Sequence, residues 1–342
     1  MNVSSLGEFP LIRRVAQRLP PYRPDVRVGV GDDVAVLEQD EGSYLLATCD
    51  IQVEGVHFLR TGITPFQLGR KVAAINLSDI AAMGGEPLHF LVSLVLPPDT
   101  EVAWVDALYD GLREEASRYG ADIVGGNMSK TRGPLVVDLF LLGQVPREHL
   151  LLRSGARPGD EVWVTGFLGN SAAGLALLLQ PDLSVEDAVR EPLLAAHLTP
   201  TPRVREGQVI ARSGRATAMI DLSDGLSSDI GHICEESHVG VRLWAQRLPI
   251  SPEARRVAAL AGKRAREWAL GGGEDYELCF TAPPGAGAAL ASAVQEATGV
   301  SVTCVGEILP EGAGRWLRLE DGREVPLAGA GWDHFRPEEG GP

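Results

Sequence analysis

Carboxylates beside glycine, at the ends of predicted strands, constrain the fold more than any other feature of the sequence. Gly31 is followed by Asp32 and Asp33, and the strand predicted from Tyr44 to Thr48 leads to Asp50. Neighbouring carboxylates repel each other, so a folded chain gathers them only where positive charge offsets the repulsion. Oxygen ligands favour a hard cation such as Mg²⁺. The alternative is a solvated turn, because glycine and aspartate are common turn residues.

Another carboxylate lies in an apolar helix. Thr64-Pro65 supplies a helix start, and the apolar spacing predicts a helix from Phe66 to Met83. Asp79 lies in its apolar second half, where a carboxylate is seldom buried without a partner. An exposed stripe of the helix is the alternative position.

The second half of the chain also places carboxylates beside glycines at predicted strand ends and helix starts. Asp221 and Asp224 bracket Ser223 between a predicted strand, 216–220, and a helix, although either acid could simply cap that helix. Three glycines precede Glu274 and imply close backbone approach or unusual dihedral angles. Hard cations and glycine loops are typical of phosphoryl transfer, and Arg153 could contact a phosphate directly.

Two glycine-rich segments are weaker signals. The turn from Gly166 to Gly174 opens a predicted helix and suits an anion, although tight strand–helix packing explains it equally well. Gly125, Gly126 and Asn127 follow a short predicted strand, 123–124, where missing side chains would let a ligand approach the backbone.

Composition excludes several classes of protein. The chain has 342 residues and a net charge of −15, which argues against a nucleic-acid-binding protein. Its four cysteines are scattered, no apolar run reaches membrane-spanning length, and the N-terminus predicts an amphipathic helix rather than a signal peptide. We expect a cytoplasmic protein with domains at 1–148 and 149–342, joined by the Gly/Pro-rich connection 153–160.

Motifs along nearly the whole chain resemble one known family. They include Val30-Gly31-Asp32-Asp33, Glu54-Gly55-Val56-His57-Phe58, the segment Asn76–Gly84, Gly272-Gly273-Glu274-Asp275-Tyr276-Glu277-Leu278 and the closing Trp332-Asp333-His334-Phe335. Together they resemble the thiamine-monophosphate kinases, of the aminoimidazole-ribonucleotide-synthetase-like or PurM-like superfamily.

The resemblance implies a fold and an activity. The fold would be α/β (α+β), a two-domain PurM-like arrangement in which the mixed sheet of the N-terminal domain pairs in a homodimer and the C-terminal domain is α/β. The activity would be Mg²⁺-dependent phosphorylation of thiamine monophosphate by ATP, in which the γ-phosphoryl group passes directly in line to the acceptor phosphate and gives thiamine diphosphate.

The resemblance also implies roles for individual residues. Catalytic roles would belong to Asp50, Asp224 and Arg153, and the acceptor site would include His57, Glu274 and Trp332. Trp332 could stack on a thiamine ring. Glu274 would either complement the thiazolium cation or form a hydrogen bond with the aminopyrimidine. Nucleotide contacts would come from Tyr109, Gly126, Asn127, Arg153 and Ser223. The metal-ligand positions would be Asp33, Thr48, Cys49, Asp50, Asp79, Asn127, Asp221 and Asp224.

Two of these positions depart from the family pattern. Cys49 replaces a threonine, and a thiol is a poor ligand for Mg²⁺, so only its backbone oxygen could serve or the contact is lost. Asn127 replaces an aspartate and keeps an oxygen without its charge, and the following loop, 128–131, is longer than usual.

Two rival functions remain open from the sequence. One is another ATP-using enzyme of the superfamily with a different acceptor, although the reactive cysteine expected of a selenophosphate synthetase is missing from the N-terminal segment. The other is a non-catalytic nucleotide-binding protein, which would bind ATP without forming thiamine diphosphate.

Overall fold

A computed structural model of the chain describes residues 3–327 and Phe335. Within these residues the first half forms a mixed sheet of six strands, the N-terminal sheet, in the spatial order β1-β2-β3-β6-β4-β5. Strands β4 and β5 are parallel, and the other neighbours are antiparallel. The strands are β1 Val26–Val28, β2 Ala35–Glu38, β3 Ser43–Val53, β4 Glu86–Leu96, β5 Asp122–Lys130 and β6 Val136–Pro146.

The second half contains the C-terminal sheet, in the order β13-β12-β9-β11-β7-β10-β8. Only β9 and β12 are parallel among the neighbouring strands described. Its members are β7 Glu161–Thr165, β8 Ala218–Asp221, β9 Gly240–Trp244, β10 Leu278–Ala282, β11 Val302–Leu309, β12 Arg315–Arg318 and β13 Glu324–Pro326.

Helices pack on both sheets and between them. In the part of the chain that is described they are α1 Val3–Leu6, α2 Glu8–Ala16, α3 Pro65–Ala82, α4 Val102–Arg118, α5 Asn170–Leu179, α6 Asp187–Leu198, α7 Val204–Arg212, α8 Leu226–Ser237, α9 Pro252–Leu260, α10 Ala265–Gly271 and α11 Ala286–Thr298. None of them is long and apolar enough to cross a membrane.

Helix α3 is the central element of the molecule and was predicted closely. The Thr64 hydroxyl accepts the backbone N–H of Gln67, whose side chain returns to the Thr64 backbone, so a capping box fixes the start of the helix. Gly69 lets α4 approach, because a Cβ there would lie 2.1 Å from the carbonyl oxygen of Leu108. Thirteen of its eighteen residues are buried, so α3 is enclosed on nearly every side.

One hydrophobic core joins the two halves. Leu77 and Ile80 of α3, together with Met83 just after it, belong to the same buried cluster as Met219 of β8 and Phe280 of β10. The face of α3 that carries polar residues is therefore enclosed between the two sheets, where it can meet acids from the second half. The division at residue 148 stays a prediction.

Two strands are longer than the sequence predicted. Strand β3 continues to Val53, so Asp50 lies inside a strand, opposite Leu139 of β6, and the prediction that it follows the strand was wrong. Strand β5 covers nine residues, so Gly126 and Asn127 are paired with β4 and do not lie in a loop. In both strands the backbone ladder sets the length, although polar residues and glycines have low strand propensity.

Candidate active site

Three carboxylates from distant parts of the chain converge between the two halves. Asp33 precedes β2, Asp79 lies on α3 and Asp221 ends β8, and each has an oxygen within 4.8 Å of the others. We call these three residues the acid cluster. Asp50 lies beside it, close enough to Asp79 for the two carboxyl groups to interact. The alternatives of a solvated turn for Asp33 and an exposed stripe for Asp79 are therefore wrong.

Neighbouring side chains fix the orientation of the acid cluster. The Thr48 hydroxyl donates to Asp79 Oδ2 at 2.5 Å, and the Ser78 hydroxyl donates to Asp221 Oδ2 at 2.6 Å. The carboxylates are therefore held in place before any ligand binds.

Arg153 is the cation beside the acid cluster. Its guanidinium donates to Asp33 Oδ1 from Nε at 3.1 Å and from Nη2 at 2.5 Å. The Asp32 carboxylate accepts the backbone N–H of Arg153 at 3.2 Å, so Asp32 joins the Gly31-Asp32-Asp33 loop to the connection between the halves. The Asp32 side chain thus binds a backbone N–H group, whereas the Asp33 side chain belongs to the acid cluster.

The electrostatics of this site favour a bound cation. Burial, followed by repulsion from Asp33, raises the pKa of Asp221 to about 8. Burial, with added repulsion from Asp138, raises the pKa of Asp50 to about 6, and burial with repulsion from Asp50 and Asp221 raises the pKa of Asp79 well above its usual value. Each shift reflects negative charge that the protein alone leaves uncompensated.

The donor set fits a hard divalent cation. The ligand atoms of the acid cluster are all carboxylate oxygens, the kind that Mg²⁺ prefers. Asp33 Oδ2 is buried and has no hydrogen-bond partner, which is costly unless a ligand reaches it. The residues present therefore match the chemistry of a magnesium site.

Asp224 lies in a second group of potential ligands. An oxygen of Asp224, an oxygen of Asp229 and a ring nitrogen of His232 lie within 4.8 Å of one another. Asp229 also accepts the backbone N–H of Gly225 at 3.0 Å. Neither Asp229 nor His232 was predicted as a site residue from the sequence, although their separation of three residues on α8 puts both on one helix face.

Cys49 and Asn127 are not brought to the acid cluster. Successive residues of a strand point to opposite faces, so the Cys49 thiol points away from the side that Thr48 and Asp50 share. Burial and the charges of Asp138 and Asp50 raise the pKa of this thiol, which favours its protonated form. Asn127 Oδ1 accepts the backbone N–H of Met128 at 2.9 Å.

Asp138 is a carboxylate that the sequence analysis missed. The register of the N-terminal sheet aligns Asn127 of β5, Ser93 of β4, Asp138 of β6 and Ile51 of β3 in one row. Asp138 thus lies on the sheet face opposite to the acid cluster, yet its charge still raises the pKa of Asp50. Its position between Leu and Val neighbours in an apolar strand gave no signal of this in the sequence.

Gly126 has a structural reason to be glycine. A Cβ at this position would lie 1.9 Å from the carbonyl oxygen of Val92 in the neighbouring strand. Close packing of β5 on β4 therefore explains the missing side chain without a ligand.

Tyr109 lines a cavity of about 600 Å³ between α4 and the start of β5. Asp110, Arg113, Ser117 and Ile123 also line it. Gly126 and Asn127 follow Ile123 along the same strand, so three predicted nucleotide contacts lie along one side of the N-terminal half.

The predicted acceptor residues form a separate polar group. Glu274 Oε1 lies 2.7 Å from Lys71 Nζ, and Glu274 Oε2 lies 3.3 Å from His197 Nδ1. His57 is close enough for its charge to lower the pKa of Glu274, and its Nδ1 accepts the backbone N–H of Val53 at 3.0 Å. Trp332 lies outside the described residues.

Backbone geometry ties Glu274 to the Asp221–Asp224 turn. Glu274 has a φ of 56°, in the left-handed region that non-glycine residues seldom occupy. Its N–H donates to the carbonyl oxygen of Ser223 at 2.6 Å. The predicted nucleotide contact Ser223 and the predicted acceptor contact Glu274 are thus adjacent.

The N–H groups of the glycine-rich turn before α5 already bind a carboxyl group of the chain, Asp275, whose pKa burial raises to about 7. The Asp275 carboxylate accepts the backbone N–H groups of Gly169 at 2.7 Å and Ser171 at 3.2 Å. These are N–H groups at a helix start, which suits a negative charge. The suggested anion is therefore a side chain of the chain itself.

Comparison with known proteins identifies the family. Family models described as "AIR synthase related protein, N-terminal domain" and "AIR synthase related protein, C-terminal domain" match residues 31–145 and 157–316. The chain is 43% identical over 330 residues to thiamine-monophosphate kinase of Escherichia coli (strain K12), covering 96% of this chain and 98% of that protein. It is 40% identical over 287 residues to the Aquifex aeolicus (strain VF5) enzyme of the same name, covering 83% and 88%.

A solved structure agrees with this relationship. The structure described as "AaThiL complexed with AMPPCP and TMP" matches with a TM-score of 0.83 and 37% identity, covering 98% of this chain and 99% of that one. The two-domain PurM-like α/β fold expected from the sequence is confirmed. The chain belongs to the thiamine-monophosphate kinase family of AIR synthase related proteins.

Proposed function

We propose that the chain transfers the γ-phosphoryl group of ATP to the phosphate of thiamine monophosphate and forms thiamine diphosphate and ADP. The observation that carries this proposal is the convergence of Asp33, Asp79 and Asp221 next to Arg153, with Glu274 and Ser223 on an adjoining turn. The names of the relatives, and the AMPPCP and TMP held by a structure 37% identical to this chain, support the choice of substrates.

The metal ligands of this reaction would come from both halves. The acid cluster and Asp50 would hold Mg²⁺, with Thr48 orienting Asp79, and the group of Asp224, Asp229 and His232 is a further place for a cation. Bound Mg²⁺ offsets the negative charge of the two phosphate groups. For Cys49 and Asn127 the geometry supports no side-chain contact with the acid cluster.

The reaction needs no general base. A phosphate monoester is largely dianionic at neutral pH, since its second pKa is about 6, so its oxygen is already a nucleophile. That oxygen forms a bond to the γ-phosphorus, the bond from this phosphorus to the bridging oxygen breaks, and ADP leaves with the electron pair. The protein has to bring two polyanions together and hold them in line.

Arg153 would serve the transferring group directly. Its guanidinium is half-buried at the acid cluster and paired with one oxygen of Asp33. A fixed cation at this point stabilises negative charge on phosphate oxygens as the bond forms and breaks. We propose a catalytic role for Arg153 on this basis, and catalytic roles for Asp50 and Asp224 because the family motifs imply them and Asp50 lies beside the acid cluster.

The nucleotide and the acceptor would approach from different sides. Tyr109 and its cavity would take part of the nucleotide, with Gly126, Asn127 and Ser223 as further contacts. His57, Glu274 and Trp332 would bind thiamine monophosphate.

A second copy of the chain would cover the open face of the N-terminal sheet. The face opposite to α3 carries Leu91 and Ile51, which are 40% and 51% exposed, with half-buried Phe140 beside them. Although Asp138 and Ser93 also lie on this face, its exposed apolar side chains suit burial against a partner. We propose a homodimer through this face, and light scattering of wild type and of Leu91→Asp tests it: the variant should be monomeric, and an unchanged mass would contradict the interface.

The proposed domain division, 1–148 and 149–342, falls between the ranges that the two family models match. Free cysteines and the use of ATP support a cytoplasmic location.

Product identification tests the proposed function. Wild type is incubated with ATP, Mg²⁺ and a panel of phosphate acceptors, and the products are separated by chromatography. We expect thiamine diphosphate from thiamine monophosphate, and no turnover by Asp50→Asn. Phosphorylation of another acceptor instead would favour the rival enzyme, whereas ATP binding without any product would favour the non-catalytic nucleotide-binding protein.

A further inference from the structure

Lys71 is a buried ammonium group in the central helix. Its side chain is 1% exposed, and its Nζ lies 2.7 Å from Glu274 Oε1. A lysine is rarely enclosed to this extent, because removing its charge from water is costly unless a partner compensates it. Lys71 belongs to α3 and Glu274 to the turn after α10, so the pair also joins the two halves of the chain.

Two histidines also lie near Glu274: His57, whose charge helps to lower the pKa of Glu274, and His197. His197 lies 3.3 Å from Glu274 Oε2, but burial and the nearby Lys71 lower the pKa of this histidine to about 4, so its ring is uncharged at neutral pH. The same ring nitrogen lies 3.0 Å from the Ser171 hydroxyl. Lys71 is thus the closest cation to Glu274 among the described ion pairs.

Glu274 is 28% exposed, so its carboxylate is held from the buried side and remains accessible on the other. Its backbone is fixed by the hydrogen bond to Ser223 and by the left-handed φ. With the backbone fixed and Lys71 on one oxygen, the carboxylate has one defined direction and stays ionised.

We propose that Lys71 is a positioning residue for the acceptor: it holds the Glu274 carboxylate ionised and correctly oriented to bind thiamine monophosphate. Lys71 itself is too deeply enclosed to touch a ligand. This inference rests on the proposed function, because it assigns Glu274 to the acceptor. It adds a buried residue of the N-terminal half to the contacts of Glu274, beside His197 of the C-terminal half.

The test is Lys71→Met, which removes the ammonium group and keeps a side chain of similar length. We expect the KM for thiamine monophosphate to rise about tenfold, the effect of disturbing one hydrogen bond to a charged group. The KM for ATP should stay unchanged, since the bond of Glu274 to the predicted nucleotide contact Ser223 is made by the Glu274 backbone N–H and not by the side chain that Lys71 holds. Because burial then acts on Glu274 without its cation, the acceptor KM of Lys71→Met should also improve as the pH is raised, unlike that of wild type.

The matched control is Arg70→Met. Arg70 precedes Lys71 on α3 and pairs with Glu115 of α4 at 2.8 Å. The Arg70→Met variant therefore also loses a buried ion pair, but it keeps the contact between Lys71 and Glu274. We expect a lower unfolding temperature and an unchanged acceptor KM. This separates loss of stability from loss of positioning.

The double variant decides whether Lys71 acts through Glu274. Glu274→Gln and Lys71→Met/Glu274→Gln should have the same acceptor KM, because the charge that Lys71 orients is absent from both. If Lys71→Met or Glu274→Gln alone fails to fold, the double variant, which buries no unpaired charge, is compared with wild type, and an acceptor KM equal to that of wild type would contradict the inference.

Two results would overturn the inference while the proposed function stands. One is an active Lys71→Met with the acceptor KM of wild type. The other is a double variant with a higher acceptor KM than Glu274→Gln, which would show that Lys71 acts by another route. A wild-type protein that forms no thiamine diphosphate would instead contradict the proposed function itself.

Discussion

Ser78 on α3 donates a hydrogen bond to Asp221 at the end of β8, at 2.6 Å and across 143 positions of the sequence. Both residues are buried, and they come from different halves of the chain. The acid cluster is therefore a product of the packing of the two halves, and the stability of that packing and the geometry of the site are linked.

Ser78→Ala should destabilise the protein, because it removes the hydroxyl that satisfies a buried carboxylate oxygen. We expect a loss of about 1–3 kcal/mol in the free energy of unfolding, measured by urea denaturation. Ser292→Ala is the control, since the Ser292 hydroxyl is exposed and bonds only to its own helix. Equal effects of the two substitutions would contradict a role for the bond between the halves.

Asp79→Asn should change stability in opposite directions with and without magnesium. Without a divalent cation the variant should be more stable than wild type, because it relieves repulsion among Asp33, Asp50, Asp79 and Asp221. With Mg²⁺ at about 100 times its dissociation constant, wild type should gain about 2.7 kcal/mol and the variant much less. Thermal unfolding with and without MgCl₂ measures both effects. An equal gain in both proteins would place the ion elsewhere.

Gly126→Ala should destabilise the N-terminal half. The added Cβ would meet the Val92 carbonyl oxygen at 1.9 Å, so β5 would have to move away from β4, at a cost of about 1–3 kcal/mol. Gly125→Ala is the matched control, because its Cβ would meet only the end of the Leu91 side chain, at 3.3 Å. Chemical denaturation of both variants measures the change in the free energy of unfolding. If Gly126→Ala leaves this free energy unchanged, ligand binding rather than strand packing would explain the glycine.

His197 should make the protein sensitive to acid. The pKa of its ring is about 4 in the folded chain, against 6.5 as the ordinary value, because the ring is buried. Between these values the unfolded chain takes up a proton that the folded chain does not, so the free energy of unfolding decreases as the pH falls. The loss from His197 should be on the order of 3 kcal/mol at pH 4.

Urea denaturation between pH 7 and pH 4 measures this loss in wild type and in His197→Gln. The variant should lose less stability over this range, whereas His89→Gln, at an exposed position of β4, should follow wild type. Parallel curves for wild type and His197→Gln would show that the ring is already charged in the folded protein.

The sequence predicted the elements whose signals are local. Thr64-Pro65 and the apolar spacing located α3 within a residue at each end, and the family motifs identified the acids that meet at its polar side. Strand β5 was predicted too short, because its length depends on pairing with β4 and glycine lowers strand propensity. No local signal could place Lys71 against Glu274, because that contact exists only after the halves pack.

Asp138 and Asp229 were missed for different reasons. The sheet register brings Asp138 near Cys49, which follows only once the strand order is known. Asp229 lies near Asp224 because of the local turn at the start of α8, where it accepts the backbone N–H of Gly225, so the spacing along the chain did carry this signal. The assignments to Cys49 and Asn127 came from family motifs, which give positions but not the side of a strand to which a side chain points.

The contact of Asp275 with the start of α5 has a consequence for competition between ligands. Because the Asp275 side chain already occupies the N–H groups of that helix end, free phosphate or sulfate would have to displace it to bind there, and we expect such anions to bind where cations are held instead. Inhibition by such salts would then be relieved by adding divalent metal rather than by changing the glycine-rich turn. The protein thereby restricts its affinity for phosphate to the place where transfer is proposed to occur.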